Sequence, residues 1–182
     1  RQTLEGIPDG KYRLRAAVGN IQQNGANSTV NAGEKQTGVT LYAGIYDMPV
    51  DTMKAHKDLY FTVVDGQVTI GFKAENATGN WICLDNIRLY YLGGNTPDDY
   101  AAYLSRYADD VREELQAKHI QSAVRQAVEA AIEEAEKASA AENPDEKAMA
   151  EAKAALDEAV TAIEASAAVH DVFADAPPPA GL

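Results

Sequence analysis

Trp81 is the only tryptophan in 182 residues, and it enters a segment, Asn80 to Gly93, that also holds the pair Asp85-Asn86. Those residue types carry two kinds of chemistry. An aromatic ring offers a flat apolar face to the C–H groups of a sugar, and planar amides beside it can hydrogen-bond hydroxyls. A carboxylate in the right company holds a hard cation such as calcium, which takes about six to eight oxygens. Trp81, Tyr42, Tyr46 and Tyr60 are the candidate platforms, with Asn20, Asn24, Asn76 and Asn80 as polar partners. From these, Trp81, Tyr42, Tyr46 and Asn80 form the expected ligand-binding set. Trp81 follows "ENATGN", where a loop enters a strand, which suits a rim position as well as a cap over a core.

Catalytic patterns do not emerge beside them. His56, His119 and His170 are scattered, and none stands in H-E-x-x-H or beside a serine elbow. No G-x-x-x-x-G-K-[ST] loop is present. Acidic pairs such as Asp109-Asp110, Glu113-Glu114 and Glu133-Glu134 lie next to each other in helical sequence. Adjacent helix residues point to different sides, so these pairs read as a solvated face and not as the two carboxylates that flank a sugar in a glycosidase. A hydrolase would need other carboxylates to converge, for instance Asp47 with Asp85 or Glu75. The expectation is therefore a chain that is not an enzyme.

Composition narrows the partners. The formal charge is −12, which argues against nucleic acid, because phosphate-backbone affinity comes from Lys and Arg. Residues 1–94 hold 9 Lys+Arg and 9 Asp+Glu, while residues 95–182 hold 7 and 19, so the whole imbalance belongs to the second half. No apolar run approaches the roughly 20 residues of a membrane span. Cys83 is the only cysteine, which leaves no disulfide framework, and its strand setting reads as a small buried hydrophobe. The chain opens on Arg1-Gln2-Thr3-Leu4 with no apolar leader, a start expected inside a longer protein, after any export signal.

The elements that must position these residues differ between the halves. "KYRLRAAVG" (Lys11–Gly19) alternates Tyr12, Leu14, Ala16 and Val18 with polar neighbours, the signature of an antiparallel strand over a core. Further strands are expected over Val39–Asp47, over Leu59–Glu75 as two strands joined at Asp65-Gly66, and over the closing Asn80–Gly93 stretch. A mostly polar segment of nineteen residues, from Asn20 to Gly38, separates the first two strands; loops that long bind something or are plainly mobile.

After Gly93-Gly94 the pattern becomes helical. "NTPDDY" places Thr96 as N-cap, Pro97 at the first helical position, and Asp98 and Asp99 against the positive dipole end. "ENPDEKAM" repeats that start with Asn143 and Pro144. Three apolar stripes follow, with "LQAKH" expected to separate the first two helices, although one helix from Pro97 to about Ala140 is a rival reading. "APPPAGL" closes the chain as a polyproline-type tail.

"LEGIPDGKYRLRAAV", "VTLYA" and "VTIGFKAENATGNWICLDNIRLYYLG" resemble the galactose-binding-like jelly roll of carbohydrate-binding modules. The versions most similar occur in secreted polysaccharide-utilisation proteins of gut Bacteroidetes. In that family a "GkYrl" strand lies mid-domain and "W-x-x-x-DN-x-x-L" forms the last strand. The resemblance implies an extracytoplasmic, non-catalytic module that binds glycan or adheres to it, and it implies Asp85 as a ligand of a structural calcium ion. It also implies about eight strands, of which the earliest have no counterpart before Arg1. The second half resembles a small helical bundle module "found in various architectures" of bacterial surface proteins, which implies a spacer or a surface for a protein partner. The expected chain is thus multi-domain α+β: an antiparallel β-sandwich or jelly roll over 1–94, an acidic three-helix module over 95–173, and a Pro-rich tail over 174–182. The alternative to sugar binding is a structural or protein-interaction scaffold with no sugar ligand.

Overall fold

The computed structural model describes residues 1–24, 29–30 and 35–174, the side chains of 24, 29, 30 and 168–174 excepted. Part of the polar Asn20–Gly38 segment and the Pro-rich end therefore lie outside the described residues. The chain divides into two compact units, Arg1–Asn95 and Thr96–Leu182, one of antiparallel sheets and one of helices, so the class is α+β.

In the first unit, β1 (Gln2–Glu5), β8 (Gln67–Ala74), β5 (Val39–Ala43) and β6 (Tyr46–Pro49) form one sheet in that spatial order. The second sheet has β2 (Gly10–Ile21) between β7 (Lys54–Val63) and β9 (Trp81–Gly93). A short pair, β3 (Gln23–Asn24) with β4 (Thr29–Val30), stands apart from both. The alternation read in β2 holds: Tyr12, Leu14, Ala16 and Val18 are buried and face Leu41, Ala43, Val68 and Ile70 of the other sheet in one sandwich-like core. At about 25 cal/mol per Å² of apolar surface removed from water, these inner faces supply most of the drive to stack the sheets. Asp65 and Gly66 both take positive φ (68° and 66°), as the two-residue turn between β7 and β8 requires.

The Val39–Asp47 stretch is not one strand, as its sequence suggested, but two. Gly44 turns with φ 57°, and Ala43 pairs with Tyr46 directly across the turn. A glycine at the first of two turn positions suits a tight hairpin, and the β-forming residues around it hid that signal.

β9 holds the answer to how a strand accommodates Asp85-Asn86. Arg15 of β2 pairs with Arg88, and Ala17 pairs with Asp85, so Asn86 and Ile87 together stand opposite Ala16 alone. This is a β-bulge, with Asn86 at φ 52°. Asn tolerates that left-handed backbone better than most residues. A second extra residue, Leu92, sits between the Lys11 and Tyr12 pairings. Ile87 and Leu92, both about half exposed, are thus bulge residues that the alternation does not turn inward.

In the second unit, α1 (Pro97–Ala117), α2 (Ser122–Ser139) and α3 (Glu146–Ala174) pack around Leu104, Val111, Leu115, Val128, Ile132, Met149, Leu156 and Ile163. The predicted start of α1 is present as a capping box: the Asp99 amide donates to Thr96 Oγ1 (3.2 Å), and the Thr96 amide donates to Asp99 Oδ2 (2.9 Å). α1 and α2 separate at Lys118–Gln121, which settles the one-helix reading against itself. α2 lacks a side-chain cap, and the Gln121 amide donates instead to Ser166 Oγ of α3 (3.0 Å). α3 starts two residues later than "ENPDEK" suggested. Asp145, not Asn143, caps it, its carboxylate accepting from the Lys147 amide (3.0 Å). Tyr107 donates to Asp157 (2.9 Å), and burial together with that carboxylate pushes its phenol far up. Among the described residues no helix is long and apolar enough to cross a membrane.

Candidate functional site

One end of the sheet unit is stitched by three loops. The Asn80 amide nitrogen of the backbone donates to the Ile21 carbonyl (3.0 Å), and the Glu75 amide to the Gly38 carbonyl (2.8 Å). Thr78 Oγ1 accepts from the Thr37 amide (2.9 Å) and donates to Gln36 Oε1 (3.0 Å). Asn20 anchors this corner from inside. It is fully buried, and its Nδ2 donates to the carbonyls of Val50 (3.0 Å) and Thr37 (3.1 Å). Gly79 passes so close that a Cβ there would lie 2.1 Å from Asn20 Oδ1, which is why only glycine fits. Asn20 is therefore a structural strut and not a hydroxyl-binding amide.

Trp81 emerges from this stitched corner as the first residue of β9, paired with Ile21 and 44% exposed. It takes the rim position and not that of a core cap. Its neighbour is committed elsewhere: Asn80 Oδ1 accepts from the Gln23 amide (2.7 Å), and Nδ2 donates to the Gln23 carbonyl (2.7 Å). Both ends of that amide imitate a strand partner, so Asn80 holds the backbone beside Trp81 in place. Replacing Asn80 with alanine should cost about 1–2 kcal/mol, two exposed hydrogen bonds being modest contributors, and should speed amide exchange at Gln23. Unaltered exchange at Gln23 would count against this role.

Tyr42 and Tyr46 belong to the other sheet. Tyr42 points outward from β5 and lies flat over Gly71 of β8, where a Cβ would meet its ring at 2.3 Å. Tyr46 packs on the core, its ring centroid 6.3 Å from that of Phe61 at 50°. Trp81 and Tyr42 are thus on different sheets and do not make one shared platform, while Tyr46 is engaged in packing. Asp47 and Asp85 are likewise on different sheets, and Glu75 is taken by Lys73 (3.1 Å). Cys83 is half-buried and not fully buried, on the outward side of β9 against Gly19 and Met53.

Asp85 serves the bulge. Its Oδ1 accepts from the Asn86 amide (2.6 Å), while Asn86 Oδ1 accepts from Arg88 Nε (2.9 Å) and Asn86 Nδ2 lies 3.4 Å from His56 Nε2. Among the described residues no group of three or more His, Cys, Asp and Glu converges on a cation position. Asp85 offers calcium one or two of the six to eight oxygens it takes, and its Oδ1 already accepts from a backbone amide.

Between the two sheets a half-open slot of about 670 Å³ reaches the core, lined by Leu4, Leu14, Leu41, Phe72, Leu84 and Leu89. It lies where β1 and β9 end their respective sheets. Sequence reading passed over one further cluster, the outward face of the three-stranded sheet with Arg13, Arg15, Arg88, Tyr60 and Tyr90, because alternating polar positions look like any solvated face. Set against known protein families, curated proteins and solved structures, the chain matches none.

Proposed function

We propose that the Arg1–Asn95 unit is a non-catalytic carbohydrate-binding or adhesion module of jelly-roll type, carried by a bacterial extracytoplasmic protein and linked to polysaccharide use. Trp81 is the observation that supports this reading. A large aromatic ring, 44% exposed on a corner braced by Asn20, Thr78 and Asn80, is pre-positioned to stack on a sugar at little entropic cost. The Thr96–Leu182 helices act on this reading as an acidic bundle that spaces the module or docks a protein partner.

Trp81→Ala should weaken glycan binding by about 30-fold or more, as for a dominant aromatic anchor, with the thermal melt little changed because the ring already faces water. The measurement is a glycan array followed by calorimetry on neutral and charged polysaccharides, with and without calcium. A hit whose affinity ignores Trp81→Ala would remove Trp81 from the site, and dependence on calcium would support Asp85 as a ligand. The scaffold reading has its own support: Asn80 and Tyr46, two of the expected sugar contacts, are already spent on the protein itself. An array with no glycan hit, with or without calcium, decides for it.

A further inference from the structure

The outward positions of β2 put arginines in the middle of a three-stranded face. Arg13 stands opposite Tyr60 of β7 on one side and Tyr90 of β9 on the other, and Arg15 stands opposite Asp58 and Arg88. Two guanidinium groups, those of Arg13 and Arg15, thus share the Asp58 carboxylate. The Nε atoms of Arg13 and Arg15 are each 3.7 Å from Asp58 Oδ1, ion pairs longer than a hydrogen bond. Arg13 Nε and Asp58 Oδ1 are shut from solvent without a hydrogen-bond partner. Arg88 Nε donates only to the neutral Asn86 amide oxygen. Like charges directly opposite in a sheet are destabilising, so Arg15 against Arg88 is a cost the fold carries.

Composition does not force that arrangement, since residues 1–94 are neutral overall and the positive charge is gathered by placement. Asp85, farther along the same face opposite Ala17, already has its oxygen on the Asn86 amide. Positions that break a pairing rule are where functional sites are expected. Two aromatic rings complete the face. The Arg13 guanidinium carbon sits 4.4 Å over the Tyr90 ring, which fixes its plane, and Tyr60 is 59% exposed.

We infer that this face binds an anionic glycan, with sugar carboxylate or sulfate groups held by Arg15 and Arg88 and the sugar ring seated on Tyr60. Guanidinium forks match a planar carboxylate or a sulfate edge with two parallel hydrogen bonds. The compensating anion removes the repulsion between Arg15 and Arg88, so the ligand relieves a strain built into the empty face. This inference rests on the carbohydrate-binding reading and names a ligand class and a surface distinct from the Trp81 corner.

Calorimetry on the full chain would use polygalacturonate for the carboxylate, dextran sulfate for the sulfate and a neutral galactan, at low and at physiological salt. Arg88→Gln and Tyr60→Ala change exposed side chains, and a thermal melt checks that each variant folds. The expected result is binding of at least one anionic polymer, weakened by salt and weakened about tenfold or more in each variant, with any galactan binding untouched. The anionic arm that binds identifies carboxylate or sulfate. Anionic binding that ignores both variants overturns the inference. So does Trp81-dependent galactan binding with no anionic binding, which leaves the carbohydrate reading standing. Silence toward all three polymers overturns the inference and leaves the carbohydrate reading to the glycan array. Self-association that Arg88→Gln abolishes, seen by light scattering without glycan, would assign the face to the acidic helices of a second copy and overturn the glycan.

Discussion

Asn20→Ala is expected to destabilise the Arg1–Asn95 unit by about 2–4 kcal/mol, lowering its melting temperature by on the order of 15 °C. The side chain removed is fully buried at the end of β2, and it donates to the carbonyl of Val50 and to that of Thr37, which also accepts from the Thr78 amide (3.2 Å). Val50 follows β6 and Thr37 precedes β5, so one amide ties both flanks of that hairpin to the other sheet. Alanine leaves the Val50 carbonyl without its donor, takes one of two donors from Thr37, and opens a cavity beside Gly79. Leaving an acceptor unsatisfied costs more than a surface hydrogen bond contributes, because the group was already stripped of water. Trp81 fluorescence is the probe, since the only tryptophan sits on the corner that Asn20 braces. A melt within 3 °C or so of the parent, on a domain this size less than about 1 kcal/mol, would show that Asn20 bears no such load.

Leu104→Ala should cost about 3–4 kcal/mol in the Thr96–Leu182 unit. Leu104 is fully buried, in a core that alanines keep thin: Ala101, Ala108, Ala135, Ala152 and Ala159 are among its members. Few large side chains carry the packing, so each leucine matters more than it would in a richer core. Small helices owe most of their stability to tertiary packing and little to propensity. Ellipticity at 222 nm follows these helices while Trp81 fluorescence follows the sheets, so each loss can be assigned to its own unit. The expected change is a helical transition displaced downward by roughly 15–25 °C. Helical signal that melts as in the parent would mean the cavity collapses at no cost.

Much of the local grammar was legible in the chain. β2 alternates cleanly because one of its faces is dry, and the Asp65-Gly66 turn, the Thr96 cap and the break at Lys118–Gln121 each depend on residues within four positions of one another. The losses share a cause: the deciding partner is far away in sequence. An asparagine that would bind a hydroxyl looks the same as one that binds a backbone, and Asn80 finds Gln23 57 residues away. Tyr46 could have been a platform until Phe61 claimed its ring. The Arg15–Arg88 juxtaposition exists only through strand pairing, and neither residue stands out in its own segment. For Asn143 and Asp145 the competition was local, and the carboxylate nearer the first free amides won.

The bulge at Asn86-Ile87 has a counterpart on the other side of β2, where Ala55 and His56 together oppose Ala17. The central strand is therefore notched on both flanks, one residue apart. Each flank works like a vernier: sliding a neighbour by one position would put an extra residue against a flat stretch and turn a whole inner face to water. A chain searching for its pairings has only one offset at which both notches engage. Asp85 and Asn86, by holding the bulge in β9, thereby help fix the register of the whole sheet.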